Sequence, residues 1–260
     1  MTNAARPARI IGIDVATDAR KVGVALCSLD EPRPRLDEVL LGTSWSELDQ
    51  QVAKWADGST LLALDAPLGW PQPLAESLHT HTAGEPLEVA ANSLFRRATD
   101  DVVAKTLGKR PLDVGADRIA RTAHAALAFL GRLGERLGSS VPLAWRPESI
   151  SGICAIEVYP AGTLAARGLP HSGYKGREEA HAARRQELVG AIGEELLVET
   201  HAARKMADSD HVLDAVLCAV AGLDFVAADV IKPQDLKLAQ REGWIWVRSP
   251  RLSVSFIRAS

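Results

Sequence analysis

The chain has 260 residues, of which 47% are hydrophobic and 24% are charged, and its formal net charge is −3. This length and composition indicate a soluble globular protein that can bury a proper core. The slightly negative charge argues against tight nonspecific binding of long nucleic acids, which depends mainly on lysines and arginines that neutralise phosphates. It does not exclude a nuclease, because carboxylates that hold a metal ion also lower the net charge.

Cysteine content and hydropathy indicate the compartment. The three cysteines, Cys27, Cys154 and Cys218, lie in apolar stretches without a CxxC pair, which predicts buried free thiols in a reducing compartment. No apolar stretch approaches the roughly 20 residues of a membrane span, and residues 1–8 lack the apolar segment of a signal peptide. We therefore expect a cytoplasmic protein with no membrane partner.

The stretch 9–27 predicts a β-hairpin whose first strand ends in an acid, Asp14. A short turn leads to the second strand over 22–26, and a third strand is predicted over 36–41. An acid at the end of a buried strand is costly unless water, a hydrogen bond or a cation meets it. Asp14 is therefore the first candidate functional residue, and the alternative is that its carboxylate only caps the turn.

A helix and a second strand that ends in an acid follow. Apolar residues at helical spacing predict a helix over 44–57, with Ser46 as its N-cap. The continuous apolar run over 60–66 then predicts a central strand covered on both faces. This strand ends in Asp65, as the first strand ends in Asp14.

Residues 70–150 contain no strand-like run and are rich in alanine, leucine and arginine. They predict a mainly helical insertion with a long helix over 117–137. Arg96 and Arg97 lie in this insertion, beside the acids of the motif RRATDD. Two readings stay open for these arginines, a solvated helix face and a contact with a substrate phosphate.

The next predicted strand, over 152–159, carries a third acid. Glu157 lies between two apolar residues, so that on a pleated strand its side chain is opposite to both. A loop over 168–176 follows and contains Tyr174 and Lys175.

Two further helices are predicted after this loop. A charged helix over 177–197 is expected to be an outer cover. The helix over 207–228, whose start Asp208 or Ser209 can cap, is apolar on most of its circumference and should be buried. Its first turns carry Asp210, His211 and Asp214, and the two aspartates are neighbours on one face because they are four residues apart.

Four predicted elements thus each deliver an acid from an apolar setting: Asp14, Asp65, Glu157, and Asp214 with Asp210 beside it. Like charges gathered within a few ångströms stay ionised only if a cation lies among them. Oxygen ligands with few histidines favour Mg²⁺ or Mn²⁺ over zinc. Two such ions roughly 4 Å apart would stabilise the attacking and the leaving oxygen of a phosphodiester displacement. The pattern therefore predicts metal-assisted hydrolysis.

A short edge strand is predicted over 243–247. The order of three antiparallel strands, a helix, a fourth strand, a further strand and the late helix resembles the ribonuclease H-like fold. The resemblance implies a single α/β domain over 1–260, with a mixed five-stranded sheet flanked by helices and the mainly helical insertion over 70–150. The late helix begins with DHVLDA, which is similar to the Holliday-junction resolvases, whose last helix supplies metal ligands. His211 and Asp214 hold those places here.

Seven short motifs in a shared order resemble the family known as domain of unknown function 429. The motifs are GIDVA (12–16), LDAPLG (64–69), FRRATD (95–100), EVYPAG (157–162), YKG (174–176), DHVLDA (210–215) and EGWIWV (242–247). The resemblance covers nearly the whole chain. Because members of the family are described as predicted nucleases of ribonuclease H-like fold, it implies the fold more firmly than the activity.

The resemblance also implies roles for the acids. Asp14 would bridge the metal ions, and Asp65 would hold one of them. Asp214 would be a further ligand or a base that orients water, with His211 or Asp210 assisting.

The remaining candidates have less defined roles. Glu157 is either a ligand or a buried residue satisfied by Arg97 or Lys175. The candidate substrate contacts are Arg96, Arg97, Tyr174 and Lys175. The expected partner is a nucleic acid of unknown type, and a resolvase-like role would call for a homodimer.

Two other classes of protein stay open. Actin-like proteins and sugar kinases open with a similar GID strand, but their next turn is rich in glycine and threonine to cradle phosphate, whereas here it reads VATD. Such kinases also need two copies of the core, for which 260 residues with a long insertion are too few. The second alternative is a non-catalytic scaffold or binding protein whose acids are satisfied by arginines.

Overall fold

A mixed sheet of six strands forms the centre of the structure, a computed structural model that describes residues 7–29, 32–115 and 117–249. The strands are β1 (Arg9–Asp14), β2 (Gly23–Ser28), β3 (Arg35–Leu41), β4 (Thr60–Asp65), β5 (Ile153–Glu157) and β6 (Leu197–Val198). Their order is β5-β4-β1-β2-β3-β6. Strand β2 is antiparallel to β1 and β3, and the other neighbours are parallel. The chain therefore has the predicted α/β architecture.

The described residues form ten α-helices, several of which cover the two faces of this sheet. They are α1 (Trp45–Trp55), α2 (Gln72–Leu78), α3 (Ala91–Phe95), α4 (Ala98–Leu107), α5 (Asp117–Leu137), α6 (Pro160–Ala166), α7 (Glu179–Ile192), α8 (Thr200–Asp208), α9 (Asp210–Val226) and α10 (Leu236–Glu242). Helices α1 and α5 pack on one face, where Val52 and Phe129 share a core with Ile11 and Ile13. Helix α9 packs on the other face, against β1, β2 and β4.

Two glycines allow α9 to lie directly on the sheet. A Cβ atom on Gly12 would be 2.0 Å from the carbonyl oxygen of Ala215, and one on Gly23 would be 2.0 Å from that of His211. Any larger residue would push the start of α9 away from β1 and β2. The helix is buried along most of its length, as its apolar sequence predicted, and each fully buried leucine or valine contributes roughly 1.5–3 kcal/mol.

The sheet has one strand more than the five that were expected. Strand β6 has only two residues and pairs with Arg35 and Leu36 of β3. The charged helix was predicted to continue to Leu197, but α7 ends at Ile192, and the residues after it reach the sheet edge. A pairing this short has no recognisable sequence period, so the pattern could not predict it.

Element ends differ from the predictions in three places. Helix α1 begins after Ser44, whose hydroxyl accepts a hydrogen bond from the next turn, so that Ser46 is not the N-cap. The helix predicted over 207–228 begins only after Ser209, one of its two predicted caps, while residues 207 and 208 belong to α8. Residues 243–247 make one isolated bridge, between Ile245 and β5, and not a full strand.

The stretch 70–150 has the predicted helical character. Its described residues form α2 to α5, with no strand among them. Helix α5 nevertheless belongs to the layer that covers the sheet, because it packs with α1 on the central core. Within the ranges described here, no helix has both the length and the apolar composition to cross a membrane. The three cysteines are buried and free.

Candidate metal centre

Strands β1 and β4 place two aspartates side by side at their carboxyl ends. The strands are parallel, and Asp14 pairs with Asp65 in the register. Side chains alternate along a strand, so Asp14 shares a face with Gly12 and Asp65 shares a face with Ala63. This is the face on which α9 packs. Both carboxylates therefore lie on the side of that helix.

Helix α9 contributes a third carboxylate. Ser209 fixes the start of the helix by accepting a hydrogen bond from the backbone N–H of Val212, and Asp214 follows in the next turn, fully buried. One oxygen from each of Asp14, Asp65 and Asp214 lies within 4.8 Å of the other two. These three residues are termed the acidic triad.

Two members of the acidic triad have polar partners. Nδ1 of His211 lies 2.6 Å from Oδ2 of Asp14. The hydroxyl of Tyr174 donates to Oδ1 of Asp214 over 2.8 Å, and Nζ of Lys175 lies 2.6 Å from Oδ2 of the same aspartate. Both oxygens of Asp214 therefore already accept from a protein donor.

Asp65 is the member without such a partner. In the part of the chain that the structure describes, its carboxylate makes no hydrogen bond and no ion pair. Asp65 is also partly exposed, whereas Asp14 and Asp214 are buried. An unpaired carboxylate beside two others is costly, so the geometry favours a cation at this position.

The pKa values of the site reflect this crowding. Burial is the largest cause that raises the pKa of all three triad carboxyls, and neighbouring carboxylates add to it, so that the net pKa of Asp14 is about 6. The hydrogen bond with His211 opposes this rise at Asp14, and the charge of Lys175 opposes it at Asp214. Burial alone would lower the pKa of Lys175, but Asp214 and Asp65 raise it above its usual value. The lysine is therefore charged.

The donors of the acidic triad suit a hard divalent cation. Carboxylate oxygens are the ligands that Mg²⁺, Mn²⁺ and Ca²⁺ prefer, whereas zinc sites usually include histidine or cysteine. A divalent ion would also relieve the repulsion among three acids that burial otherwise disfavours. The triad could therefore hold a metal ion.

Glu157 belongs to a different group of acids. It pairs with Leu64 in the register of β4 and β5, and Leu64 lies in the core under α1 and α5. The pleat therefore places Glu157 on the opposite face of the sheet from Asp65. The guanidinium of Arg97 donates to both oxygens of Glu157, at 2.9 and 2.8 Å, and to both oxygens of Asp100. Arg97, Asp100 and Glu157 are termed the Arg97 cluster.

The Arg97 cluster corrects the interpretation of Arg97 and distinguishes between the two roles of Glu157. A solvated helix face and a phosphate contact both require an accessible guanidinium, but the side chain of Arg97 is 1% exposed. The sequence leaves two roles open for Glu157, and in the structure it is a buried acid whose two oxygens accept from Arg97, outside the triad. Burial raises the pKa of Glu157, and the charge of Arg97 opposes that rise.

Two other predicted residues lie outside the acidic triad. Asp210 accepts hydrogen bonds from the backbone N–H groups of Gly176 and His211, so it ties the loop that precedes α7 to the start of α9. It was expected to be a metal ligand, but it is not one of the three clustered acids. Arg96 forms an ion pair with Asp113 at 3.4 Å.

Arg185 is part of the site's surroundings that the sequence interpretation missed. This buried residue of α7 donates to the backbone carbonyls on either side of Lys175. The helix was interpreted as an outer cover. However, Arg185, Leu188 and Ile192 recur at helical spacing and form its buried face, a signal that was present in the sequence.

Comparison with known proteins identifies the family. A family model described as Protein of unknown function (DUF429) matches residues 12–231, a range that includes the whole acidic triad. None of the curated proteins matches the chain. The chain therefore belongs to the DUF429 family of proteins of unknown function.

Proposed function

We propose that this protein is a metal-dependent phosphodiester hydrolase, a nuclease of the ribonuclease H-like type. The observation that carries the proposal is the convergence of Asp14, Asp65 and Asp214, which come from two strands and a helix far apart in the sequence. Charged residues that serve stability are usually paired when they are buried. Among the described residues, Asp65 lacks any such pairing, which supports a role in binding a cation.

The topology of the sheet supports the same proposal. Strands β1, β2 and β3 form an antiparallel meander, β4 lies parallel beside β1, and β5 follows β4. The order of these strands along the chain is the one on which the resemblance to ribonuclease H-like proteins rests. The acids stand at the ends of the first and fourth strands and near the start of the late helix, where that resemblance assigns metal ligands.

In the proposed reaction, a Mg²⁺ or Mn²⁺ ion held by Asp14 and Asp65 would activate water and neutralise charge on the phosphate. Two further side chains are accessible at the site. His211, 36% exposed, is suited to take a proton from the attacking water, because imidazole exchanges protons near neutral pH. Lys175, 57% exposed, is suited to bind an oxygen of the scissile phosphate.

The proposal is tested by cleavage of single-stranded, duplex and branched DNA and RNA with Mg²⁺ or Mn²⁺. Wild-type protein is expected to cleave at least one of these substrates. Asp14→Asn and Asp65→Asn should each lose activity by at least ~100-fold, because each removes a charged metal ligand worth several kcal/mol.

A matched control is available four residues from Asp14. Asp18 lies in the turn after β1, where its carboxylate binds Arg20, so Asp18→Asn should retain full activity. Equal activity in Asp65→Asn and the wild type would reveal a contaminating nuclease and contradict the proposal.

One observation favours a second candidate, a non-catalytic binding protein. Lys175 already supplies a positive charge to the acidic triad, so the acids are partly balanced within the chain. Failure of Mn²⁺ to bind, together with no cleavage of any substrate, would support this alternative. The kinase alternative gains no support from the structure, and binding of ATP in calorimetry would be needed to revive it.

A further inference from the structure

Lys175 occupies an unusual place for a lysine. Its ammonium group is 2.6 Å from Oδ2 of Asp214, and the charges of Asp65 and Asp14 also act on it. The ammonium therefore lies within the electrostatic field of the whole acidic triad. More than half of the side chain is exposed, so the group is also open to a ligand from solvent.

The backbone on both sides of Lys175 is held in place. Nη1 of Arg185 donates to the carbonyl oxygens of Tyr174 and Gly176, at 2.7 and 2.9 Å. The N–H of Gly176 donates to Asp210 at 3.1 Å. Arg185 is itself buried, so the lysine extends from a loop that a core residue fixes. The fold therefore holds the ammonium of Lys175 at the acidic triad.

The charges at the centre match one divalent ion. With the three carboxylates ionised, as metal binding requires, and His211 neutral, the ammonium of Lys175 leaves two negative charges, which a single divalent cation neutralises. Two divalent cations would instead give the site an excess of positive charge in a partly buried position, where unbalanced charge is costly.

The carboxylate oxygens that have no protein donor also favour one metal ion. Both oxygens of Asp214 accept from Tyr174 and Lys175, and one oxygen of Asp14 lies beside His211. The carboxylate of Asp65 has no such contact among the described residues. Oxygens free of protein donors are therefore concentrated on Asp14 and Asp65, which favours a single ion between these two residues.

We propose that the acidic triad binds one divalent cation, and that the fixed ammonium of Lys175 supplies the positive charge that a second ion would otherwise bring to the substrate phosphate. This inference rests on the proposed function and replaces the two ions expected from the sequence. Asp214 then serves mainly to hold Lys175, while Asp14 and Asp65 hold the metal.

The test is calorimetric titration of the full chain with Mn²⁺ alone, together with electron paramagnetic resonance of the bound ion. Wild-type protein should bind one ion with the spectrum of an isolated Mn²⁺. Lys175→Met should bind the first ion at least ~10-fold more tightly, because a nearby positive charge has been removed. It should also take a second ion, visible as a spin-coupled pair.

Two variants control for charge and for position. Lys175→Arg keeps the positive charge and should retain a stoichiometry of one. Lys54→Met removes an exposed lysine in the last turn of α1, outside the acidic triad, and should bind Mn²⁺ as the wild type does. Thermal unfolding of each variant confirms that it is folded.

The outcomes separate this inference from the proposed function. Two ions in the wild type would overturn the inference and leave the proposed function standing, whereas no binding at millimolar Mn²⁺ would overturn both. Unchanged affinity and stoichiometry in folded Lys175→Met would also overturn the inference. If that variant does not fold, the wild-type stoichiometry and spectrum still decide the count.

Discussion

The acidic triad and the Arg97 cluster are both groups of acids in the interior, but their charges are balanced differently. In the Arg97 cluster, one guanidinium donates to both carboxylates at distances of 2.8 to 3.3 Å. In the triad, Lys175 and His211 contact two of the acids, while Asp65 has no partner in the described ranges. The first arrangement stabilises the fold, and the second leaves charge for a ligand to neutralise.

The Arg97 cluster also supports the triad from the other side of the sheet. Oε2 of Glu157 accepts a hydrogen bond from the backbone N–H of Leu68 at 2.9 Å, three residues after Asp65. The cluster thus joins β5 and α4 to the turn that follows β4. The Arg97 cluster, whose charges are paired, therefore helps to position Asp65, whose charge has no partner among the described residues.

The largest effect on stability is expected from breaking the paired cluster. Arg97→Met would leave Asp100 and Glu157 buried without their cation, which should lower the free energy of unfolding by about 3–5 kcal/mol. Arg96→Met is the matched control, because its ion pair with Asp113 is partly exposed and should be worth less than about 1 kcal/mol. Urea unfolding measures both, and equal losses in the two variants would contradict the assignment of Arg97.

A smaller effect on stability is expected when one acid of the Arg97 cluster or of the acidic triad is replaced by its uncharged amide. Glu157→Gln should destabilise the protein by about 1.5–3 kcal/mol, because a charged partner of Arg97 is lost. Asp65→Asn should stabilise the metal-free protein by up to about 1 kcal/mol, because it relieves repulsion within the triad. Thermal unfolding in the presence of a chelator shows whether each substitution raises or lowers the stability of the protein. A large loss of stability in Asp65→Asn would mean that its carboxylate has a structural partner.

The smallest expected effect concerns pH. The pKa of Asp14 rises from 3.8 to about 6 in the folded protein, so without metal this group makes the protein less stable as pH increases through that window. A divalent cation takes the place of the proton and removes this loss. The rise in Tm on adding Mn²⁺ should therefore be about 2–4 °C larger at about pH 7.5 than at about pH 5. An equal rise at both values would indicate that the ion binds elsewhere.

Local patterns were sufficient to predict strands β1 to β5 and to name all three acids of the triad, Asp14, Asp65 and Asp214. The apolar runs before Asp14 and Asp65 predict buried strands that end in acids, and the apolar circumference of α9 predicts a helix buried against them. Parallel strands bring their carboxyl ends to one edge, so the proximity of the two aspartates follows from the fold. These features depend on residues close together in the sequence, which is why they could be predicted.

The sequence did not decide between the two roles given for Glu157, one of which was pairing with Arg97, and it did not predict the burial of Arg97. The alternation along β5 shows that Glu157 is opposite to its neighbours, but which face of the sheet this is depends on the register with β4. Arg97 lies in a segment that resembles a solvated helix, and its burial depends on contacts with β5, 60 residues away. Both outcomes are set by tertiary pairing.

The most direct test of the metal centre is diffraction from crystals soaked in Mn²⁺, measured where manganese scatters anomalously. We expect a peak between the carboxylates of Asp14 and Asp65, beside Lys175, and its loss in Asp65→Asn. Absence of any peak at the acidic triad with millimolar Mn²⁺ in the crystal would contradict the account.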